Sequence, residues 1–313
     1  MLSLVDRLTH PGDASAPDAM SRGAMKRKPA AIAAILAATV LTLAATSSAN
    51  ATPKTKPNQV RYEYAAPKNP AHQAIHDQMK QNHALEHLQE MLSPLRLPYP
   101  LTLKVAGCDG TISAWYNDEV ITVCYELLAE LLKNAPTNDL PIGVSRADTV
   151  LGPVLDVFLH ETGHAVFNML QIPVLGREED AADQFSAYVM LRLSKDEARR
   201  MILGSAYQHT IHMPGPEVTV PINSFSDEHS LPAQRAFNIL CIAYGADKKL
   251  FVDIVEKDFL PKTRAEGCET EYEDLTFAMT KLISPHIDKR LARKFHEVWT
   301  RTVSARRARF ARQ

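Results

Sequence analysis

The segment Phe158-Leu-His-Glu-Thr-Gly-His-Ala-Val-Phe167 sets two histidines four positions apart with a glutamate beside the first. On a helix, at about 100° per residue, His160 and His164 stand one turn apart on one face, so both imidazoles can reach a single ion. Glu161 lies next to them, placed to hold a water rather than the ion. This is the set that peptide hydrolysis by zinc requires: the cation acidifies a water, the carboxylate takes its proton, and the cation polarises the scissile carbonyl. Val157, Phe158, Leu159, Val166 and Phe167 make the same helix apolar, and burying His160, Glu161 and His164 there without a partner would be costly.

A catalytic zinc site needs a third protein ligand and an open position. Downstream, in Gly176-Arg-Glu-Glu-Asp-Ala-Ala-Asp183, Glu179 and Asp183 share a helical face, and the small Ala182 permits close approach to the first helix. Glu179 is the expected ligand to one Zn2+, with Asp183 expected to accept a hydrogen bond from the far nitrogen of His160 and so fix its tautomer. Glu178, Asp180 and Asp183 remain alternatives for the ligand. Glu178 and Asp180 otherwise read as solvated charges at a helix N-terminus.

His160-Glu-Thr-Gly-His164, followed by Pro173-Val-Leu-Gly-Arg-Glu-Glu-Asp-Ala-Ala-Asp183, resembles the bacterial metallopeptidase family catalogued as DUF4344. More distantly, the Glu-x-x-Ala-Asp arrangement is similar to that of the gluzincin peptidases, in which the Glu is a zinc ligand. The resemblance takes in Cys108 with Ala114-Trp-Tyr116, Ile121 with Cys124-Tyr-Glu-Leu127, and Asp227-Glu-His-Ser-Leu231 with Gln234-Arg235 and Cys241, roughly residues 95 to 285. It implies a zinc peptidase acting on a peptide or protein, with Glu161 as general base. It also implies a His or Tyr near the oxygen that becomes negative, a role for which His229 is the candidate. A metzincin is excluded, because Phe167 replaces the required Gly and Leu170 the third His. The same site would suit hydrolysis of a non-peptide amide, and a catalytically silent binding protein of the cell envelope could keep the fold.

Three further groups stand out. Ser113-Ala-Trp-Tyr116 is a candidate edge for an extended peptide, with Trp115 and Tyr116 either contacting substrate or packing. Cys108, Cys124, Cys241 and Cys268 allow three pairings, of which sequence proximity favours 108 with 124 and 241 with 268. His72, His76, His83 and His87 fall within an arc of about 60° on a continuous helix, as a polar edge or an accessory metal site.

The elements that must position these groups follow from periodicity and from Gly and Pro. Helical composition over 71–92 gives way to short β-rich runs at Leu101–Val105, Ile112–Tyr116 and Val120–Val123. Nearly everything after Cys124 reads as helix, with the segment from His212 to Ser230 as a loop. The expected class is α+β and mostly helical: a small N-terminal antiparallel sheet packed on a zincin-type active-site helix, with a helical C-terminal half forming the other wall of a cleft.

Met25-Lys-Arg-Lys28, the apolar run from Ala30 to Ala45 and Ser48-Ala-Asn-Ala51 have the three parts of a signal peptide cleaved after Ala51. Residues 1–24 then form a dispensable leader, 25–51 the signal peptide, 52–70 a flexible linker, 71–288 the catalytic domain and 289–313 a basic helical or disordered tail. Export to the periplasm or beyond would place the cysteines in an oxidising compartment. Membrane contact is expected only if the signal segment stays uncleaved. With 45% hydrophobic residues and a formal net charge of −1, the chain has a globular composition and no overall pull toward nucleic acid.

Overall fold

A computed structural model describes residues 54–140, 142–211 and 219–297. The leader 1–24, the signal segment 25–51 and the basic run from Arg306 to Arg312 lie outside the described residues.

Leu101, Leu103 and Val105 are fully buried and alternate with partly exposed Thr102, Lys104 and Ala106, the period of a strand with one covered face. This is β2 (Leu101–Ala106), the inner strand of a sheet ordered β1-β2-β4-β3, with β1 Val60–Tyr64, β3 Ala114–Asn117 and β4 Val120–Cys124. β3 and β4 are joined by Asp118 and Glu119, both with positive φ (47° and 61°). That is the backbone of a tight two-residue hairpin turn.

Only the β3–β4 pair is antiparallel; β1 and β4 both run parallel to β2, so the sheet is mixed rather than antiparallel throughout. The cause lies in the connection: α1 (Gln73–Gln81) and α2 (Ala84–Leu92) carry the chain back between β1 and β2, and such a crossover makes strands parallel. The linker expected over 52–70 is corrected as well, since it contains β1. Gln89 Nε2 donates to the Val60 carbonyl at 2.8 Å, Tyr125 Oη donates to that of Ala65 at 2.7 Å, and Lys56 and Leu97 exchange backbone bonds.

The histidine stripe does not form, because the helix breaks between α1 and α2, where His83 adopts φ 53°. His72 is buried against Tyr125, His76 packs on Tyr64 and Tyr125 beside Asp77, and His83 is exposed beside Glu86.

After α3 (Tyr125–Asn134) comes the central element, α4 (Asp148–Met169). It packs on α5 (Glu178–Met190), α6 (Lys195–Ile211) and the β3–β4 hairpin. Gly204 lets α6 touch the start of α4: a Cβ there would stand 2.1 Å from the Asp148 carbonyl oxygen. α7 (Pro232–Ala246), α8 (Val252–Glu256), α9 (Lys262–Ala265) and α10 (Cys268–Ala278) complete the helical half. The fold is thus α+β and mostly helical.

Disulfides join Cys108 to Cys124 and Cys241 to Cys268, tying the loop after β2 to the end of β4 and α7 to α10. Disulfides of this kind point to an oxidising environment. Among the described residues, no helix is long and apolar enough to cross a membrane.

Candidate metal centre

The site is made where α4 crosses the first turns of α5. Gly163 makes the crossing possible, since a Cβ there would lie 3.1 Å from Ala182 Cα and 3.3 Å from Ala182 Cβ. The near contact of backbones brings the histidines of one helix within reach of the carboxylates of the other. His160 and His164 lie one turn apart with their Nε2 atoms 3.2 Å from each other. Glu179 faces both, with Oε2 3.0 Å from His160 Nε2 and Oε1 3.5 Å from His164 Nε2.

The far nitrogens are also held. His160 Nδ1 lies 2.8 Å from Asp183 Oδ1, and His164 Nδ1 lies 2.8 Å from Glu178 Oε1. A carboxylate only accepts, so each Nδ1 carries the proton of that bond and each Nε2 is left to present a lone pair. Glu178, read from sequence as a solvated charge, therefore has a partner in His164. Asp183 is itself gripped from behind by Arg235 of α7, whose Nε and Nη2 donate to its two oxygens at 2.7 and 2.6 Å.

Two imidazole lone pairs at 3.2 Å beside a carboxylate repel one another unless a proton or a cation lies among them. Two nitrogens bound at about 2.05 Å to a tetrahedral ion stand about 3.3 Å apart, so the spacing of these two imidazoles suits an ion such as zinc. The electrostatics agree. Burial opposes a charged His160, yet hydrogen bonds to Asp183 and Glu179 overcome it and push the pKa up to about 10. Hydrogen bonds from His160, His164 and His229 hold the Glu179 carboxyl far below the usual range. Asp183 is likewise held low: burial would raise it, but His160 and Arg235 outweigh that. The cluster favours positive charge at its centre.

Glu161 is buried beside the histidines. Burial lifts its carboxyl above the ordinary range, while the charges of His160 and His164 oppose the rise, and it accepts a backbone hydrogen bond from Tyr116. β3 thus reaches the cleft with its main chain as well as its side chains. Tyr116 faces α4, with its hydroxyl 3.1 Å from Asn168 Oδ1. Trp115 alternates to the other side and sits at the rim. His229 enters from the loop before α7, with Nε2 2.8 Å from Glu179 Oε2 and its ring stacked on His160. The cleft, about 490 Å³, is lined by these groups together with Asp118 and Glu119 of the hairpin turn.

Periodicity gave no signal for a cluster one turn before His160. Asp156 of α4 is buried and accepts hydrogen bonds from Ser186 and Ser205, with His209 Nε2 3.9 Å away. It locks α4, α5 and α6 together below the site. Only the fold brings these residues together, so no local motif could have marked them.

The family model for DUF4344, described as "Putative metallopeptidase", matches residues 64–283. No curated protein matches the chain, and no solved structure does.

Proposed function

The chain belongs to the DUF4344 family, and from that membership together with the donor cluster we propose that it is an exported, zinc-dependent endopeptidase. One observation carries the reading: two imidazole Nε2 atoms 3.2 Å apart face the Glu179 carboxylate in an open cleft, with a buried, unspent carboxylate, Glu161, beside them. His160, His164 and Glu179 would hold one zinc ion, and Asp183 and Glu178 would orient the two rings. When bound, zinc supplies a Lewis acid that acidifies a water and polarises the scissile carbonyl.

The protein's own groups do the rest. Glu161 takes the proton of the attacking water and passes it to the leaving amine, and its raised pKa suits a group that must first accept and then donate. The exposed edge of β3 offers main-chain groups to an extended peptide, with Tyr116 and Trp115 on either side of the strand. His229 is placed to donate to the oxygen that becomes negative. Export rests on the signal-like segment 25–51 and on the two disulfides, which suit the periplasm or the medium.

The test is metal content together with hydrolysis. The purified mature chain should hold one zinc per molecule and cleave an unstructured protein in a zinc-dependent way. Glu161→Gln should lower kcat by a factor of about 10³ or more while zinc is retained. Retention of full activity in that variant would exclude Glu161 as the base, and absence of zinc from a replete sample would overturn the reading itself.

A further inference from the structure

Asn168 stands four residues past His164 on α4, about 40° further round the helix and about 6 Å along it, so it continues the face that carries His160 and His164. It lines the same cleft and is exposed there. Its contact with the sheet fixes how its amide is turned. The Tyr116 hydroxyl of β3 donates to Asn168 Oδ1 at 3.1 Å, which commits the oxygen to the sheet. The NH2 group, on the other arm of the planar amide, has no partner among the described residues. A peptide backbone brings carbonyl acceptors as well as N–H donors, and the carboxylates around the cleft only accept. Of the two asparagines there, Asn117 spends its amide nitrogen on Asp118 at 3.1 Å, whereas that of Asn168 is free to donate.

We propose that Asn168 anchors the substrate: its side-chain amide, held by Tyr116, donates to a main-chain carbonyl of the bound peptide about two residues from the scissile bond. The inference rests on the peptidase reading above and adds one subsite to it. Distance sets which carbonyl is taken. One helical turn past His164 is about 6 Å, and an extended chain covers that in about two residues. A main-chain carbonyl is common to every residue, so the contact selects for an extended backbone of sufficient length and is indifferent to the side chain. Tyr116 serves this contact through Asn168, as a positioning residue.

Two substitutions in the full chain separate an anchor from a simple staple between β3 and α4. Asn168→Asp keeps an acceptor for the Tyr116 hydroxyl and removes both donors, whereas Asn168→Ala removes acceptor and donors together. With neutral peptides, in enough salt to screen the added charge, both should raise KM about five- to tenfold and change kcat less than about twofold. Tyr116→Phe should raise KM by about two- to threefold and add little when combined with Asn168→Ala. Trimming the peptide by two residues from one of its ends should abolish the difference from wild type. Calorimetric titration of the same peptides into each variant, with Glu161→Gln added to prevent turnover, should show Kd shifted by the same factor as KM. If Asn168→Asp binds and cleaves as wild type does, Asn168 is at most a staple and the proposal is overturned, with the zinc peptidase reading left standing. Failure of wild type to cleave any peptide would strike that reading instead, and the Kd values would still decide whether Asn168 holds a peptide.

Discussion

Arg235 stands two contacts from the proposed cation site: its guanidinium holds both oxygens of Asp183, and Asp183 holds Nδ1 of His160. Asp183 is buried, so its charge depends on that partner. Replacing Arg235 by Met should destabilise the protein by roughly 3–5 kcal/mol, because a buried carboxylate is left half-compensated. Zinc affinity should fall by about tenfold or more as the His160 ring loses its support. Lys at this position keeps the charge but not the two-pronged grip, and should lie between. Urea unfolding and a competitive zinc titration measure the two effects, and unchanged zinc affinity in Arg235→Met would show that the grip does not act through His160. The spacing of His160, Glu161, His164, Glu179 and Asp183 was legible in the sequence because all five lie on two helices of regular pitch. The partner of Glu178 was not. Its place at the first turn of α5 suggests a solvated charge, and only the crossing with α4 brings His164 to it.

The crossing is an element-scale device, and Gly163 sets its tightness. A methyl group there must push Ala182 away by a few tenths of an ångström, and a branched side chain by more. Gly163→Val should therefore cost about 1–3 kcal/mol and weaken zinc binding, because the proposed ligands ride on the two helices being separated. Leu151→Ala, on the exposed side of α4, should change neither; thermal melts with and without zinc check both variants. The attachment of β1 is a second case. Tyr125 Oη holds the Ala65 carbonyl at the end of β1, and burial, with the charge of Asp77 adding to it, pushes the phenol up to about 12. The folded value stands above the unfolded one near 10, so this contribution is whole below pH of about 10 and is lost as pH rises through about 12. Wild type should lose stability over that window. Tyr125→Phe should start about 1 kcal/mol lower and fall less steeply in urea melts across the same range. β1 was hidden in the sequence because it buries only Val60 fully and exposes the next three residues, which removes the alternation that marked β2. Strand direction was hidden as well, since a period of two is the same in parallel and antiparallel pairs.

At the scale of the molecule the charge is nearly balanced, with a formal net charge of −1, but the cleft is not. Among the described residues Asp118, Glu119 and Glu178 line it, and no Lys or Arg does. Peptides with Lys or Arg near the scissile bond should therefore show the higher kcat/KM, and the advantage should shrink as salt is raised. Cleavage of matched cationic and anionic peptides at two ionic strengths measures this; equal rates would show that the acidic lining does not select. The alternation of β3 also has a practical side. Tyr116 turns inward, while Trp115 stays 39% exposed where the cleft meets the groove over the outer face of the sheet. The chain has two tryptophans, and the other, Trp299, lies outside the described residues. An indole at that boundary would serve as an optical sensor for the proposed substrate edge: a peptide laid along β3 should change its solvent contact, and the emission of the unlabelled protein should report occupancy before any bond is cut.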